Sequence, residues 1–212
     1  MARKTKEEAL ATRELLLDTA ESMFLQHGLA RTSLNDIALA AGLTRGAVYW
    51  HFEDKAALYN ALMDRLSVHF APACSDASWQ GDPIEAIRRM VLLPIELLRS
   101  DERAQRLLTI AMHRIEFSDD LSLIWQRHVT SHSEYLEQLE KLFTAAVKDG
   151  ARCRLTMPPK AAALGLFAMV DGLLTYATLE HGRIPALAQA ETLIDAYLAG
   201  VGCVLPSPPA AG

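Results

Sequence analysis

Cysteine is scarce in this chain, and a surplus of basic charge is missing altogether. The three cysteines, Cys74, Cys153 and Cys203, are odd in number and far apart, so neither a disulfide framework nor a zinc site is expected. No run of residues reads as a β-strand and no segment repeats. There is no P-loop, dinucleotide fingerprint or nucleophile elbow, so nothing points to an enzyme or to a cofactor. The opening MARKTKEEA leads into charge rather than an apolar stretch, so no secretory leader is expected and a reducing, cytoplasmic location is. Lys and Arg number 21 against 26 Asp and Glu, a formal net charge of −5. The first 66 residues hold eight basic and nine acidic side chains, so the usual basic footprint of a nucleic-acid binder is absent there too.

What the chain has is helix. Half of its 212 residues are apolar, enough for a sizeable core. A first helix spans about Lys6 to His27, with Leu10, Leu17, Ala20 and Phe24 on one face and Gly28 as its stop. A fourth starts at Asp54 and reaches about Phe70, and residues 71–81 read as a loop. Asp82-Pro83 with Glu85 restarts a helix, and Pro94 in its interior should kink it. A sixth runs from about Asp101 to Arg114. Ser118 caps a seventh that ends at Asp149-Gly150. Pro158-Pro159 opens an eighth, closed by Gly182, and a ninth spans about Ala186 to Val204. The expected fold is all-α with about nine helices: a three-helix domain over 1–54, a helical domain over 55–204, and a disordered tail over 205–212.

The second and third helices carry the function. In SLNDIALAAGLTRGAVYWH, residues 33–51, Ile37, Ala38 and Ala41 have helical spacing behind Ser33, whose side chain can form a capping box with Asp36. Gly42 supplies the turn, and Thr44 caps a second short helix that reaches about His51. This is the pattern of a helix-turn-helix, whose second helix enters the DNA major groove. Thr44, Arg45 and Gly46 open that helix, and the Arg45 fork can bond a guanine in two places. Tyr49, Trp50 and His51 follow, with Tyr49 and His51 placed for phosphates. Arg31, Thr32 and Ser33 before the motif and Lys55 after it complete the DNA-facing set. Glu14, Asp18 and Glu21 are expected on the far side of the first helix.

The run from Leu17 to Leu58 resembles the DNA-binding domain of the TetR family of bacterial repressors. The resemblance is carried by Ala20, Phe24, Gly28, Thr32, Ile37, Ala38, Gly42, Arg45, Gly46, Tyr49, His51, Phe52, Lys55 and Leu58. The opening ARKTKEEA with Thr12-Arg13, and then TRGAVYWHF, is similar to the AcrR-like branch of multidrug-efflux regulators. Beyond residue 58 the likeness is scattered: Glu116-Phe117 after His113, and Val170-Asp171-Gly172-Leu173. Arg114-Ile115 departs from the Lys-Cys that these repressors often carry there.

The eighth helix, AAALGLFAMVDGLLTYATL, is nearly long enough for a membrane span, but Asp171 near its middle argues against insertion. A helix apolar all round should instead be buried on two sides. We expect one side to meet a second copy of the chain through Leu166, Leu173 and Tyr176, with Leu193, Tyr197 and Val201 of the ninth helix. The resemblance implies the same four-helix dimer, and two-fold symmetry implies a palindromic duplex. Phe167, Val170, Asp171 and Leu174 share another face. With Leu62, Leu66 and Phe70, with Met90, Leu93 and Leu97, and with Leu108, Met112, Ile115 and Glu116, they would either fill the core or line a cavity for a hydrophobic molecule. The resemblance implies the cavity.

Three functions follow. The first is a repressor of a drug-efflux operon, released when a hydrophobic inducer binds. The second is the same scaffold sensing a fatty acyl or aromatic metabolite, or acting as an activator. The third is a helical small-molecule binder or enzyme without DNA. His128 and His132 stand four apart and could clamp a metal, but with no third ligand evident we read a polar helix face.

Overall fold

The computed structural model describes residues 2–70, 81–115, 122–150, 152–179 and 186–205, together with the backbone alone at a few helix ends. Among the described residues there are nine α-helices: α1 (Ala2–His27), α2 (Leu34–Ala40), α3 (Arg45–His51), α4 (Lys55–Phe70), α5 (Pro83–Ser100), α6 (Glu102–His113), α7 (Ser122–Asp149), α8 (Pro159–Leu179) and α9 (Ala186–Gly200). The expected loop over 71–80, the Ser118 cap, Glu116, the Gly182 stop and the tail from residue 206 lie outside the described residues. α5 runs on through Pro94, which is buried.

The chain forms two compact units, residues 1–68 with 103–129, and 69–102 with 130–212. The first unit is larger than the 1–54 expected from sequence. Within it α1 buries Leu16, Leu17, Ala20 and Phe24 along one stripe. The same stripe buries Glu21, whose carboxylate accepts from Arg106 Nε at 2.6 Å and faces Arg103 Nε at 3.3 Å. Arg65 of α4 donates to Asp18 at 2.7 Å and also bonds Glu14. These pairs hold α4 and α6 to α1. Such long-range ion pairs have no periodic signature in the sequence. They also explain how an acidic segment can serve an anion: Glu14, Asp18 and Glu21 are committed to arginines of their own unit.

In the second unit α5, α8 and α9 pack on one another. Arg88 of α5 grips Asp195 of α9 through two hydrogen bonds of 2.7 and 3.2 Å, a charge-assisted pair fixed in geometry as well as energy. α9 ends at Gly200, four residues short of the expected Val204. Gly202 lies at φ 99° in the left-handed region, and two backbone bonds, Cys203 N–H to Leu198 O and Gly202 N–H to Ala199 O, close the helix around it. The chain then turns back and Cys203 pairs with Cys153 in an isolated antiparallel bridge.

Burial within the single chain separates the residues of the expected dimer seam. Leu166, Leu173 and Val201 are buried in the single chain, and the half-buried Tyr197 spends its hydroxyl on the Ala162 carbonyl at 2.9 Å. Only Tyr176 and Leu193 of the six are exposed, beside Leu164 on α8. Because α8 is apolar all round, its periodicity could not say which apolar face meets α9 and which faces away.

Candidate nucleic-acid interface and effector site

The helix-turn-helix is built from local bonds. Ser33 and Asp36 form a reciprocal box: the Asp36 N–H donates to Ser33 Oγ at 3.2 Å, and the Ser33 N–H donates back to Asp36 Oδ2 at 3.0 Å. Bonds from the Ser33 hydroxyl and N–H hold the Asp36 carboxyl below its ordinary pKa. At the other end of α2, Gly42 has φ 70°, and the Leu43 N–H reaches the Ala38 carbonyl at 2.8 Å. Thr44 then accepts from the Ala47 N–H at 3.3 Å and starts α3. Ile37, Ala38 and Val48 are the buried plugs between the two helices.

That packing turns the rest of α3 outward. Thr44, Arg45, Gly46, Tyr49 and Trp50 are exposed, Trp50 at 72% of its surface. The Arg45 guanidinium lies 5.4 Å over the Tyr49 ring, which steers its fork without covering it. His51 is half-buried, its ring 4.5 Å from that of Trp50. Burial first, and the charge of Arg13 second, hold its imidazole below the ordinary value. Arg31 and Ser33 are exposed at the entrance to α2.

Two members of the expected set face inward. Thr32 is buried and its hydroxyl donates to the Gly28 carbonyl at 2.8 Å, so it fixes the turn into α2 and offers no side-chain contact outward. The half-buried Lys55 donates from Nζ to the Leu29 carbonyl at 2.7 Å. The Leu29 N–H in turn donates to the Arg114 carbonyl at 3.0 Å. The turn that positions the motif is thus tied to the start of α4 and to the residue just beyond α6. Sequence spacing gave no sign of this, because the partners are 26 and 85 residues away from Leu29.

The expected effector residues divide between the two units. In the first, Leu62, Leu66 and Leu108 are buried and Met112 and Ile115 half-buried. In the second, Met90, Val170 and Leu174 are buried, while Phe70, Leu93, Leu97, Phe167 and Asp171 are half-buried. Around Phe167 the structure adds two side chains of α7 that the sequence reading did not place. His132 meets the Phe167 ring edge-on at 5.2 Å, and the Tyr135 ring lies 5.9 Å away. The Tyr135 hydroxyl donates to the Met90 carbonyl at 3.1 Å, joining α7 to α5. Burial lowers the His132 pKa, and the nearby Asp171 charge offsets this in part. His128 stacks on Trp125 instead, so the two histidines read as a possible clamp turn to separate aromatic partners. A surface depression of about 450 Å³ on α7, lined by Glu137, Glu140, Lys141, Thr144, Ala145 and Lys148, contains none of the expected effector residues.

Two family models match this architecture. Residues 16–62 match the bacterial regulatory proteins of the tetR family, and residues 82–202 match the C-terminal region of the MAATS-type transcriptional repressors. The chain belongs to the TetR family. This TetR-family chain is 36% identical over 201 residues to the HTH-type transcriptional regulator TtgR of Pseudomonas putida, covering 93% of the chain and 95% of that protein. It superposes on the crystal structure of NalD, the secondary repressor of the MexAB-OprM multidrug efflux pump in Pseudomonas aeruginosa. The TM-score there is 0.83 at 32% identity, with 92% of this chain and 98% of that one covered. A SmeT–triclosan complex aligns with a TM-score of 0.75 at 30% identity, over 95% and 100% of the two chains. The TetR-family match assigns the α2–α3 pair as the DNA-binding element and the second family segment to the region that holds α5, α8 and α9.

Proposed function

We propose that this TetR-family chain is a cytoplasmic, homodimeric repressor of a multidrug efflux operon, released from a palindromic operator by a hydrophobic, drug-like molecule. The observation that carries the reading is the capped α2–α3 pair, which spends Ile37, Ala38 and Val48 on packing and leaves Arg45, Tyr49 and Trp50 outside. Arg45 would read a guanine edge, and Tyr49 and His51 would hold phosphates and set the register. The efflux repressors among its relatives support the target, and the triclosan complex of SmeT supports an inducer of that kind.

For the dimer, the exposed face of α8 with Leu164 and Tyr176, beside Leu193 of α9, is the surface a second copy would cover. α8 is long and apolar enough to cross a membrane, and 44% of its apolar window is buried inside the chain. A second copy on the exposed part would account for the remainder without a bilayer.

For release, we assign the signal to α4. It begins at Lys55, bonded to the turn before α2, and its last two residues, His69 and Phe70, belong to the second unit, about 24 Å away at 1.5 Å rise per residue. An inducer that displaces Phe70 would tilt the rod and move the two reading heads off their half-site spacing of about 34–36 Å. Duplexes selected from the fragmented genome of the source organism test the whole reading. Bound fragments should contain an inverted repeat upstream of a transporter operon, bind with a stoichiometry of dimers and be released by triclosan. Arg45→Ala should lose that selection. A monomer that retains no duplex at low salt refutes the proposal.

A further inference from the structure

Two of the three cysteines come together although nothing in their spacing pairs them. Cys153 lies between α7 and α8, and Cys203 lies just beyond α9, 50 residues later. Their Sγ atoms are 2.8 Å apart, and both are free thiols. The backbone explains the meeting. The Arg154 N–H donates to the Gly202 carbonyl at 2.9 Å and the Val204 N–H donates to the Arg152 carbonyl at 2.7 Å, so the two bonds flank the cysteines. That is the non-hydrogen-bonded pair of an antiparallel ladder, whose Cα atoms sit about 4.5 Å apart, inside the span of about 4.4–6.8 Å that a disulfide bridges. Gly202 allows the approach: a side chain there would collide with the Arg154 carbonyl.

We propose that Cys153 and Cys203 are an oxidisable dithiol, closed by a small hydroperoxide into an intrachain disulfide that staples the end of α9 to the segment leading into α8. Both S–H bonds break and one S–S bond forms. The two electrons pass to the peroxide, whose O–O bond breaks, and with hydrogen peroxide the protons leave in two waters. Both thiols are buried, and burial pushes the Cys203 thiol above its ordinary pKa, so the oxidant has to be small and closure is slow compared with an exposed thiolate. The loop so closed contains the whole of α8 and α9. The staple therefore stiffens that hairpin and leaves the helix-turn-helix unit untouched. It also narrows the unfolded chain, which favours the native state.

The test takes the full-length reduced protein through a hydrogen peroxide titration, followed by denaturing alkylation, intact mass and non-reducing peptide mapping. Closure removes two hydrogens, about 2 Da, leaves one alkylatable thiol, and yields one peptide linking residues 153 and 203. It raises the melting temperature by about 5 °C or more, reversed by dithiothreitol. Cys74→Ser should close in the same way, whereas Cys153→Ser and Cys203→Ser should show neither the mass loss nor the thermal shift. Oxygen adducts on single cysteines without a linked peptide, or a linked peptide containing Cys74, overturn the proposal. Mapping of the wild-type protein decides this even where a variant folds poorly.

Discussion

The ammonium of Lys55 is bonded at 2.7 Å to the carbonyl of Leu29, the residue whose own N–H is held by the Arg114 carbonyl. A lysine expected to grip phosphate is therefore also an internal clamp. Lys55→Ala should lower both stability, by about 1–2 kcal/mol, and operator affinity, because the turn into α2 loses its anchor. Arg45→Ala should lower affinity alone, by about 1–3 kcal/mol, since its side chain is exposed and lies over the Tyr49 ring. Urea midpoints and anisotropy titrations on both variants separate the two. A Lys55→Ala protein of unaltered stability would count against the clamp.

A phosphate contact at His51 should make DNA binding depend on pH. Its free-state pKa is depressed by burial and by Arg13, and a phosphate beside it would favour the imidazolium. Protons are then taken up on binding, so affinity should rise as pH falls from about 7.5 to about 5.5. The stability of the unbound protein moves the other way. The depressed group contributes stability that is present above the unfolded value of about 6.5 and is lost as pH falls through the folded pKa. His51→Gln should flatten both trends. An affinity profile in which the variant matches wild type would exclude a phosphate at His51.

Gly165 of α8 faces Tyr197 of α9. A β-carbon there would collide with the Tyr197 hydroxyl and come within 3.1 Å of Cζ. Alanine gains about 1 kcal/mol of helix propensity, but the collision should cost more, for a net loss of about 1–3 kcal/mol in urea unfolding. Tyr197→Phe forfeits the bond to the Ala162 carbonyl and makes room. The double variant should therefore lose about 1 kcal/mol less than the two singles combined.

Phe70, in the last turn of α4, is the expected lever of release. Phe70→Ala should leave operator affinity within about twofold while raising the triclosan concentration needed for half-release by about tenfold, a coupling loss near 1.4 kcal/mol. A variant released at the wild-type concentration would place the lever elsewhere.

The helix-turn-helix was legible before any coordinates because each of its bends is enforced within a few residues. The Ser33–Asp36 box, Gly42 at positive φ and the Thr44 cap need no distant partner. The stop of α1 before Gly28 and the starts of α5 at Asp82-Pro83 and of α8 at Pro158-Pro159 were readable for the same reason. The internal bonds of Thr32 and Lys55 were not readable, because hydroxyls and ammonium groups look equally ready for solvent or for a carbonyl, and only the packed turn chooses. On α8 the choice among apolar faces is degenerate, which is why its pattern does not show that Leu166 and Leu173 are buried within the chain.

The amino-acid order alone settled the helical class, the caps and the outward-facing third helix, since those follow from backbone bonds between near neighbours and from which side chains are apolar. Tertiary packing alone decided which carboxylates meet Arg65, Arg103 and Arg106, which aromatics gather around Phe167, and that Cys153 and Cys203 touch. Those meetings join residues tens of positions apart, and chain distance carries no information about them until the helices have docked.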